Sequence, residues 1–578
     1  MDSRTAAHAL SQIAALLELR GEGRFKTRAY ETAAKAVLAL DADDIAPLHR
    51  SGELARLKGV GPATLSVLDD LVRHGESDYL QQLGEDTPEG LLEMMRVPGL
   101  GTSKIHALHA ALGIETLHEL EEAARDGRLA KVKGFGPKTA EKILKGIAFL
   151  KVTGALVLYP HALAEARRLV GAVRAHPAVR HAEIAGSLRR RREVIRDVDI
   201  VAACDGRPEA VASSFGHAPG VVEVTGSGER AVAIRFVDGT LLDLHCVPLE
   251  EFGTALWRAT GSEEHVRAVE ARLAARGLRV VGDALVDAAG ARVPTPDEES
   301  LYAAAGLQFV APELRETGDE VAAAAGGALP SLVERGDIRG VLHCHSQYSD
   351  GAATIAEMAD AARERGWSYI GISDHSQSAF YAGGLRADQI ARQHEEIERV
   401  NAGRTDVRVL KGIEADILPC GRVDYDEAVL DSFDYVICSV HSRFGMNEAQ
   451  MTERVLKALD DPHVTILGHP TGRLLLTREP YALDIEAVLG KAAERGVAVE
   501  LNADPHRLDL DWRHLRRAKE LGVMVEIGPD AHSTHGLDNV EIGVGIARKG
   551  WLEASDVLNA LPADEVLARA RRRREAAR

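Results

Sequence analysis

The sequence predicts a multidomain chain with an all-α N-terminal region, an α+β middle and a C-terminal run of βα repeats. Three observations predict it. Up to about residue 150, apolar side chains recur at three- and four-residue spacing between glycine-containing breaks, the period of helices that bury one face. From about 155 to 250, short apolar runs are bounded by Gly or Asp, as strands and hairpins are. Beyond 337, strand-like runs alternate seven times with amphipathic stretches such as TIAEMADAARERG, which suggests a parallel barrel or doubly wound sheet. At 578 residues the chain exceeds one ordinary core.

The expected boundaries follow from these changes of pattern. Residues 1–150 form the helical region. Residues 151–250 carry the runs HAEIAGS, DVDIVAAC, VVEVTGSG, RAVAIRFVDG and TLLDLHCV. Helices and short turns return over 251–312. The stretch 313–336 is rich in small residues with few large apolar anchors and is expected to be a linker. Residues 337–578 hold the repeats.

Composition leaves the function open. A net charge of −18 speaks against nucleic acid only as a chain total, because phosphate contacts depend on local basic patches and backbone amides. No apolar stretch of about 18 residues predicts a membrane span, and the N-terminus lacks a signal-peptide pattern. Five cysteines with no CxxC spacing indicate neither a disulfide framework nor a thiolate zinc site. A cytoplasmic protein with no membrane partner is expected.

Chemistry concentrates at the ends of the last-zone strands. His343 and His345 are two apart and share one face of a strand. Asp350, His375, Glu414, His441, His469, Asp530 and His532 lie at or just beyond the ends of VLHCHS, YIGISDHS, VRVLKGIEADI, DYVICSVHS, VTILGHP and VMVEIGPDAHS; VAVELN ends on Glu500 and Asn502. In a parallel barrel all these ends meet at one rim. Taken singly, each histidine reads as a capping or hydrogen-bonding residue. Taken together, imidazoles and carboxylates suit zinc, manganese or iron.

In the middle zone, Asp197 and Asp199 alternate along a strand behind four arginines, so both carboxylates point the same way. Asp243 in TLLDLHCV is a third. Three converging carboxylates repel unless divalent cations join them, and two such ions suit in-line phosphoryl displacement. Gly186 and Ser187 offer a close backbone approach and a hydroxyl, and Arg190 can fork onto a phosphate. A surface ion-pair network is the plainer alternative. In the first zone, LKGVGPATLSVL, RVPGLGTSKIHAL and KVKGFGPKTAEKIL repeat a Gly-apolar-Gly turn before a helix: Gly59 with Gly61, Gly99 with Gly101, Gly134 with Gly136. Such turns aim backbone N–H groups at phosphates. Arg24, Lys26 and Arg28 either add contacts or form a solvated helix face.

These motifs resemble known families. HCHSQYSDG, SDHS, GIEADI, VHSRF, GHP and PDAHS resemble the polymerase-and-histidinol-phosphatase (PHP) family. That resemblance implies a distorted (β/α)7 barrel of metal-dependent phosphoesterases, with up to three manganese or zinc ions on the nine residues His343 to His532 named above. Gly-Ser, basic residues and Asp-x-Asp resemble the nucleotidyltransferase signature of the family X DNA polymerases, which implies catalytic Asp197, Asp199 and Asp243 with magnesium or manganese. ALWRATGSEEH resembles the family segment that packs against the incoming sugar, implying nucleotide contacts from Arg258, Thr260, Gly261 and Ser262. Where the family has Tyr-Phe before that Thr, this chain has Arg258 and Ala259, which implies weakened sugar selection. His245 stands where relatives often have Arg. The glycine turns resemble helix-hairpin-helix motifs that track the DNA backbone. Polymerase beta carries Schiff-base lysines just after the first turn; Ala63 and Val67 stand there here, so that lyase activity is not expected.

The order helix-hairpin-helix region, palm and thumb, then PHP barrel resembles the layout of the PolX family. It implies a monomeric, nucleoid-associated gap-filling DNA polymerase taking dNTPs and gapped, nicked or 3′-recessed duplex, with 3′→5′ exonuclease or phosphoesterase activity. Alternatives are a phosphoesterase with a weak or inactive palm, or a non-catalytic DNA-end scaffold.

Overall fold

A computed structural model describes residues 3–40, 44–74, 77–85, 87–95, 97, 100–153, 156–236 and 239–577. Two compact units divide the chain, Met1–Ala155 and Leu156–Arg578. No described helix is long and apolar enough to cross a membrane.

The first unit is helical. Its helices include Ser3–Leu19, Arg24–Leu38, Pro62–His74, Thr102–Leu112 and Pro137–Thr153. Leu10, Ile13 and Leu17 recur on one face and are fully buried with Val37, Leu68, Ile105 and Leu120, so helical spacing becomes a core. Gly59 and Gly134 adopt φ of +106° and +93°, a backbone that favours glycine. Each turns the chain into the helix that begins at Pro62 or Pro137, proline suiting the first helical position. Gly101 precedes Thr102–Leu112. Gly99 lies outside the described residues. Ala63 is exposed and Val67 buried.

The second unit opens with a palm. Its five-stranded mixed sheet runs Val179–Ile184, Val198–Cys204, Leu241–Val247, Ala231–Phe236, Val221–Ser227. Tyr159–Arg174 and Pro208–Phe215 bury apolar faces in the core with Ile200, Ala202, Leu242 and Leu244. Phe252–Thr260 packs with Val201, Ala203 and Val247. That split follows the period-two alternation of strand side chains. Thumb helices Glu263–Ala275 and Glu298–Ala305 close around Trp257, Val269, Leu273 and Tyr302.

The segment expected as a linker is instead packed. It contains the helix Asp319–Ala325, and Leu314, Glu320, Val321, Ala324 and Val333 are buried. Small residues misled because they allow close packing, and because an ion pair supplies the anchor. Arg315 has no exposed side-chain surface and bonds Glu298, which also accepts from Arg189 Nη2 at 2.7 Å. Burial raises the Glu298 carboxyl, but Arg315 and Arg189 outweigh it and hold it below the usual range.

Seven parallel strands in chain order form the last domain: Gly340–Val341, Tyr369–Ile372, Arg408–Asp416, Tyr435–Ser439, Val464–Leu467, Ala498–Asn502 and Val525–Gly528. The ring is nearly closed by His345 N donating to Ala531 O at 2.8 Å and Ala531 N donating to His343 O at 3.2 Å. Tyr435, buried with Leu410 and Ile466, packs where two neighbouring strands carry glycine. A Cβ on Gly371 or Gly412 would stand 2.1 or 2.2 Å from its phenol.

Glu298→Ala strands the buried Arg315 guanidinium and is expected to cost about 3–5 kcal/mol. A lowered unfolding midpoint for the second unit checks this, and an unchanged midpoint contradicts it.

Candidate active sites

The palm site begins with a register. Val198–Cys204 and Leu241–Val247 pair in parallel with Asp199 directly opposite Asp243, and Asp197 precedes the first strand by one residue on the same side. Gly186 has φ of +62° and lies against Asp199: a Cβ there would stand 1.7 Å from Oδ2. Only glycine lets the Gly186–Ser187 backbone come this close to the carboxylate. Burial, then Asp197 and Asp243, raises the Asp199 carboxyl to about 7. Burial and Asp197 also raise Asp243. Asp199 and Asp243 line a cavity of about 290 Å³ with Gly226, Ser227, His245 and Ala259. Sequence reasoning missed Gly226 and Ser227; the GSG after VVEVT was their signal.

The arginines have protein partners. Arg190 Nε donates to Glu316 Oε1 at 3.0 Å and its Nη1 to the Thr260 carbonyl at 2.7 Å. Arg189 Nη1 donates to the Thr260 hydroxyl at 3.0 Å. Arg191 lies over the Tyr159 ring and Arg192 pairs with Glu316. The run, and Arg190 in particular, was expected to face a triphosphate or to form a surface ion-pair network; in this structure Arg189, Arg190 and Arg192 pair with the largely buried carboxylates of Glu298 and Glu316. Thr260 is fully buried. The Ser262 hydroxyl accepts from His265 N, capping Glu263–Ala275, and donates to the Glu316 carbonyl at 2.7 Å. Gly261 lies against the His265 ring, 2.8 Å from where a Cβ would stand. Arg258 bonds the Gly282 carbonyl and pairs with Glu270. His245 bonds Asp283 at 2.9 Å.

The barrel mouth gathers all nine expected side chains. Glu414 is its hub. Its Oε1 lies 2.9 Å from His469 Nε2 and 3.2 Å from His441 Nε2. Its Oε2 lies 2.9 Å from His375 Nδ1 and 3.5 Å from His343 Nε2. Asp530 Oδ1 is 3.2 Å from His345 Nε2. Asp350 reaches His375 Nε2 at 3.6 Å and His532 Nε2 at 3.4 Å. Asp350 and His532 are the partly exposed members, while His343 and His345 are fully buried. His469 and Asp530 hold φ of +22° and +48°, left-handed conformations that a non-glycine residue keeps only when its surroundings enforce them.

Three groups here bring ligand atoms within 4.8 Å of one another: His345, Asp350, His375 and His532; His343, His345 and Asp530; His375, Glu414 and His441. Among the described residues, the palm carboxylates form no such group; like charges without a cation hold apart. Fit to a metal is tested by orphaned atoms. His343 Nε2, both ring nitrogens of His345, His375 Nδ1 and His469 Nδ1 are buried without a well-aligned hydrogen bond, although carboxylate oxygens lie beside three of them. Such a cluster is costly unless cations occupy it. Burial lowers His345 to about 3, with His532 and His375 adding to it, so its nitrogens are free to ligate. Burial opposes protonation of His375, His441 and His532, but Glu414, Asp416, Asp350 and Asp530 outweigh it. These imidazoles rise to about 10, 9 and 9.

Residues behind the cage fix its rings. His343 Nδ1 bonds Glu500 Oε1 at 2.5 Å and His441 Nδ1 bonds Asp416 Oδ1 at 2.6 Å, which sets the tautomer that faces the mouth. Asn502 Nδ2 donates to Asp530 Oδ2 at 3.0 Å. Asp416 was missed in the sequence, although it stands two residues from Glu414 on the same face.

Comparison with known proteins agrees with both halves. Family models match a helix-hairpin-helix domain at 1–77 and a SAM-like helix-hairpin-helix tandem at 91–148. Others match the DNA polymerase beta thumb at 255–316 and the PHP domain at 342–504. The chain is 38% identical over 97% of its length, and 98% of the relative's, to a Bacillus subtilis protein named DNA polymerase/3′-5′ exonuclease PolX. A probable phosphatase of Caldanaerobacter subterraneus subsp. tengcongensis is 33% identical over 33% of this chain and 74% of its own. A probable phosphatase of Clostridium acetobutylicum is 30% identical over 35% and 81%.

Fold, thumb and barrel mouth define the class, a polymerase core joined to a PHP domain. Within that class, the chain belongs to the PolX family.

The palm geometry has two measurable consequences. Divalent cations bind the ionised carboxylate, and Asp199 keeps a proton below about 7. The magnesium concentration giving half-maximal nucleotide addition is therefore expected to fall about fivefold from pH 6 to 7, about tenfold by pH 8, and to level off above that; no pH dependence contradicts this. Ala259 lines this cavity where the resemblance leads one to expect an aromatic ring, so Ala259→Phe is expected to raise the dNTP-to-rNTP efficiency ratio about tenfold. Single-nucleotide gap filling measures it, and an unchanged ratio contradicts it.

Proposed function

We propose that the chain is a gap-filling DNA polymerase with a 3′→5′ exonuclease or phosphoesterase in its barrel, each reaction at its own site. The observation that carries this reading is the separation of two ligand sets, each at the strand ends of its own sheet. One is the Asp199–Asp243 register, the other the buried imidazoles around Glu414.

In the palm, Asp197, Asp199 and Asp243 would hold two magnesium or manganese ions, which would supply positive charge to the primer 3′-hydroxyl and to the in-line displacement at the α-phosphate. The chain's own part is placement. Gly186 brings backbone to within contact of Asp199. Asp243 is exposed and lines the cavity, where a carboxylate can meet a primer end. Ala259 borders the same cavity, where the incoming sugar would lie.

In the barrel, manganese or zinc, up to three ions, would be held by His343, His345, Asp350, His375, Glu414, His441, His469, Asp530 and His532 and would supply Lewis acidity toward the scissile phosphodiester and the attacking water. Glu500 and Asp416 hold the ligating rings in register. Asp350 and His532 stand where the mouth opens to solvent and would meet the DNA end first.

The glycine turns of the first unit would grip the duplex backbone through N–H groups at the starts of helices Pro62–His74, Thr102–Leu112 and Pro137–Thr153. Gapped, nicked or 3′-recessed duplex and dNTPs are the proposed substrates, and a nucleoid-associated monomer the proposed state.

Substitution separates the two sites. Asp199→Ala is expected to abolish gap filling while nuclease activity stays within about twofold, and His345→Ala to do the reverse. Loss of both activities from either variant contradicts the two-site reading.

A further inference from the structure

The loop that leads from Gly186 to Asp197, just before the strand bearing Asp199, is held from outside the palm. Between Gly186–Ser187 and Asp197 the chain runs through Arg190, Arg191, Arg192 and Glu193, and the last domain touches this stretch directly. Lys549 ends the helix Asn539–Lys549, which follows the strand-end segment bearing Asp530 and His532. Its ammonium has no exposed surface. It donates to the Arg190 carbonyl at 3.0 Å and to the Glu316 carboxylate. It also lies 4.4 Å above the Trp512 ring. Glu316 in turn accepts from Arg190 and pairs with Arg192 at 3.4 Å.

Two further contacts grip the same loop. Gly545, one turn before Lys549, leaves room for Arg191; a Cβ there would stand 3.1 Å from Arg191 Cδ. Arg513 Nη1 donates to the buried Glu193 carboxylate at 3.2 Å. A charge with no exposed surface is costly unless its bonds are specific. The acceptors of Lys549, which are the Arg190 and Glu313 carbonyls and the Glu316 carboxylate, belong to the loop or to the segment joining the two domains. None of these residues belongs to the ligand groups of the barrel mouth.

We propose that Lys549 is a positioning residue for nucleotidyl transfer: from the phosphoesterase domain it fixes the 186–197 loop, and so the placement of Asp197 and Asp199 relative to Asp243. The inference rests on the palm being the site of nucleotide addition. A loop freed by about 1 Å would lower the rate of the bound complex more than the affinity for nucleotide. The barrel thereby serves two reactions, one with its mouth and one with its outer helix.

The test uses the full chain. Lys549→Met is expected to lower kcat for gap filling about tenfold, with the dNTP KM and the exonuclease rate each within about twofold. Amide hydrogen exchange across 186–197, measured without metal or substrate, is expected to quicken about tenfold. Arg513→Gln, at a half-exposed position, should shift both readouts in the same direction by a smaller factor, which guards against a Lys549 variant that fails to fold. Unchanged exchange with unchanged kcat overturns the proposal, as does an equal fall in polymerase and exonuclease rates in both variants. If the unsubstituted chain adds no nucleotide, the reading of the palm fails instead, and the exchange measurement still decides whether Lys549 holds the loop.

Discussion

Like-charged carboxylates set side by side in a partly dry sheet repel, and buried imidazoles without partners are costly. Both conditions occur in this chain, at the strand ends of two sheets. In the palm, burial, Asp197 and then Asp243, which stands opposite in a parallel register, raise the Asp199 carboxyl. In the barrel, five ring nitrogens of His343, His345, His375 and His469 crowd around Glu414 and Asp530 without well-aligned hydrogen bonds. Cations bound at both places would resolve the conflicts, and the chemistry proposed for each domain depends on that resolution.

The rest of the second unit works to keep the conflicts in place. Gly186 allows the backbone to press against Asp199. Glu500 and Asp416 orient histidines from behind. The arginine run ties the palm loop to Glu298 and Glu316, and Lys549 extends that tie into the last domain. Buried ion pairs contribute little net stability compared with apolar packing, so their use here points to geometric specificity.

Much of this was readable in the sequence. The seven βα repeats and five palm strands announce themselves because period two and period 3.6 leave distinct apolar patterns, and strand ends meet at one rim whatever the loops do. The nine barrel residues could therefore be placed together without coordinates. What period alone does not carry is pairing across distant segments. Asp243 could be named as a third carboxylate, but its register against Asp199 is a tertiary fact. Arg190 looked like a phosphate ligand because Glu316, its partner, lies 126 residues away. The 313–336 segment looked like a linker because alanines pack without large side chains to signal it. Asp416, by contrast, was within reach of a period-two argument from Glu414.

The central claim is that two separate cation cages share one chain. Anomalous scattering from crystals of the full chain grown with manganese tests it most directly. Peaks between Asp199 and Asp243 and, separately, within the ring of side chains around Glu414 are the predicted result. Strong peaks elsewhere on the chain, with neither cage occupied, would contradict it.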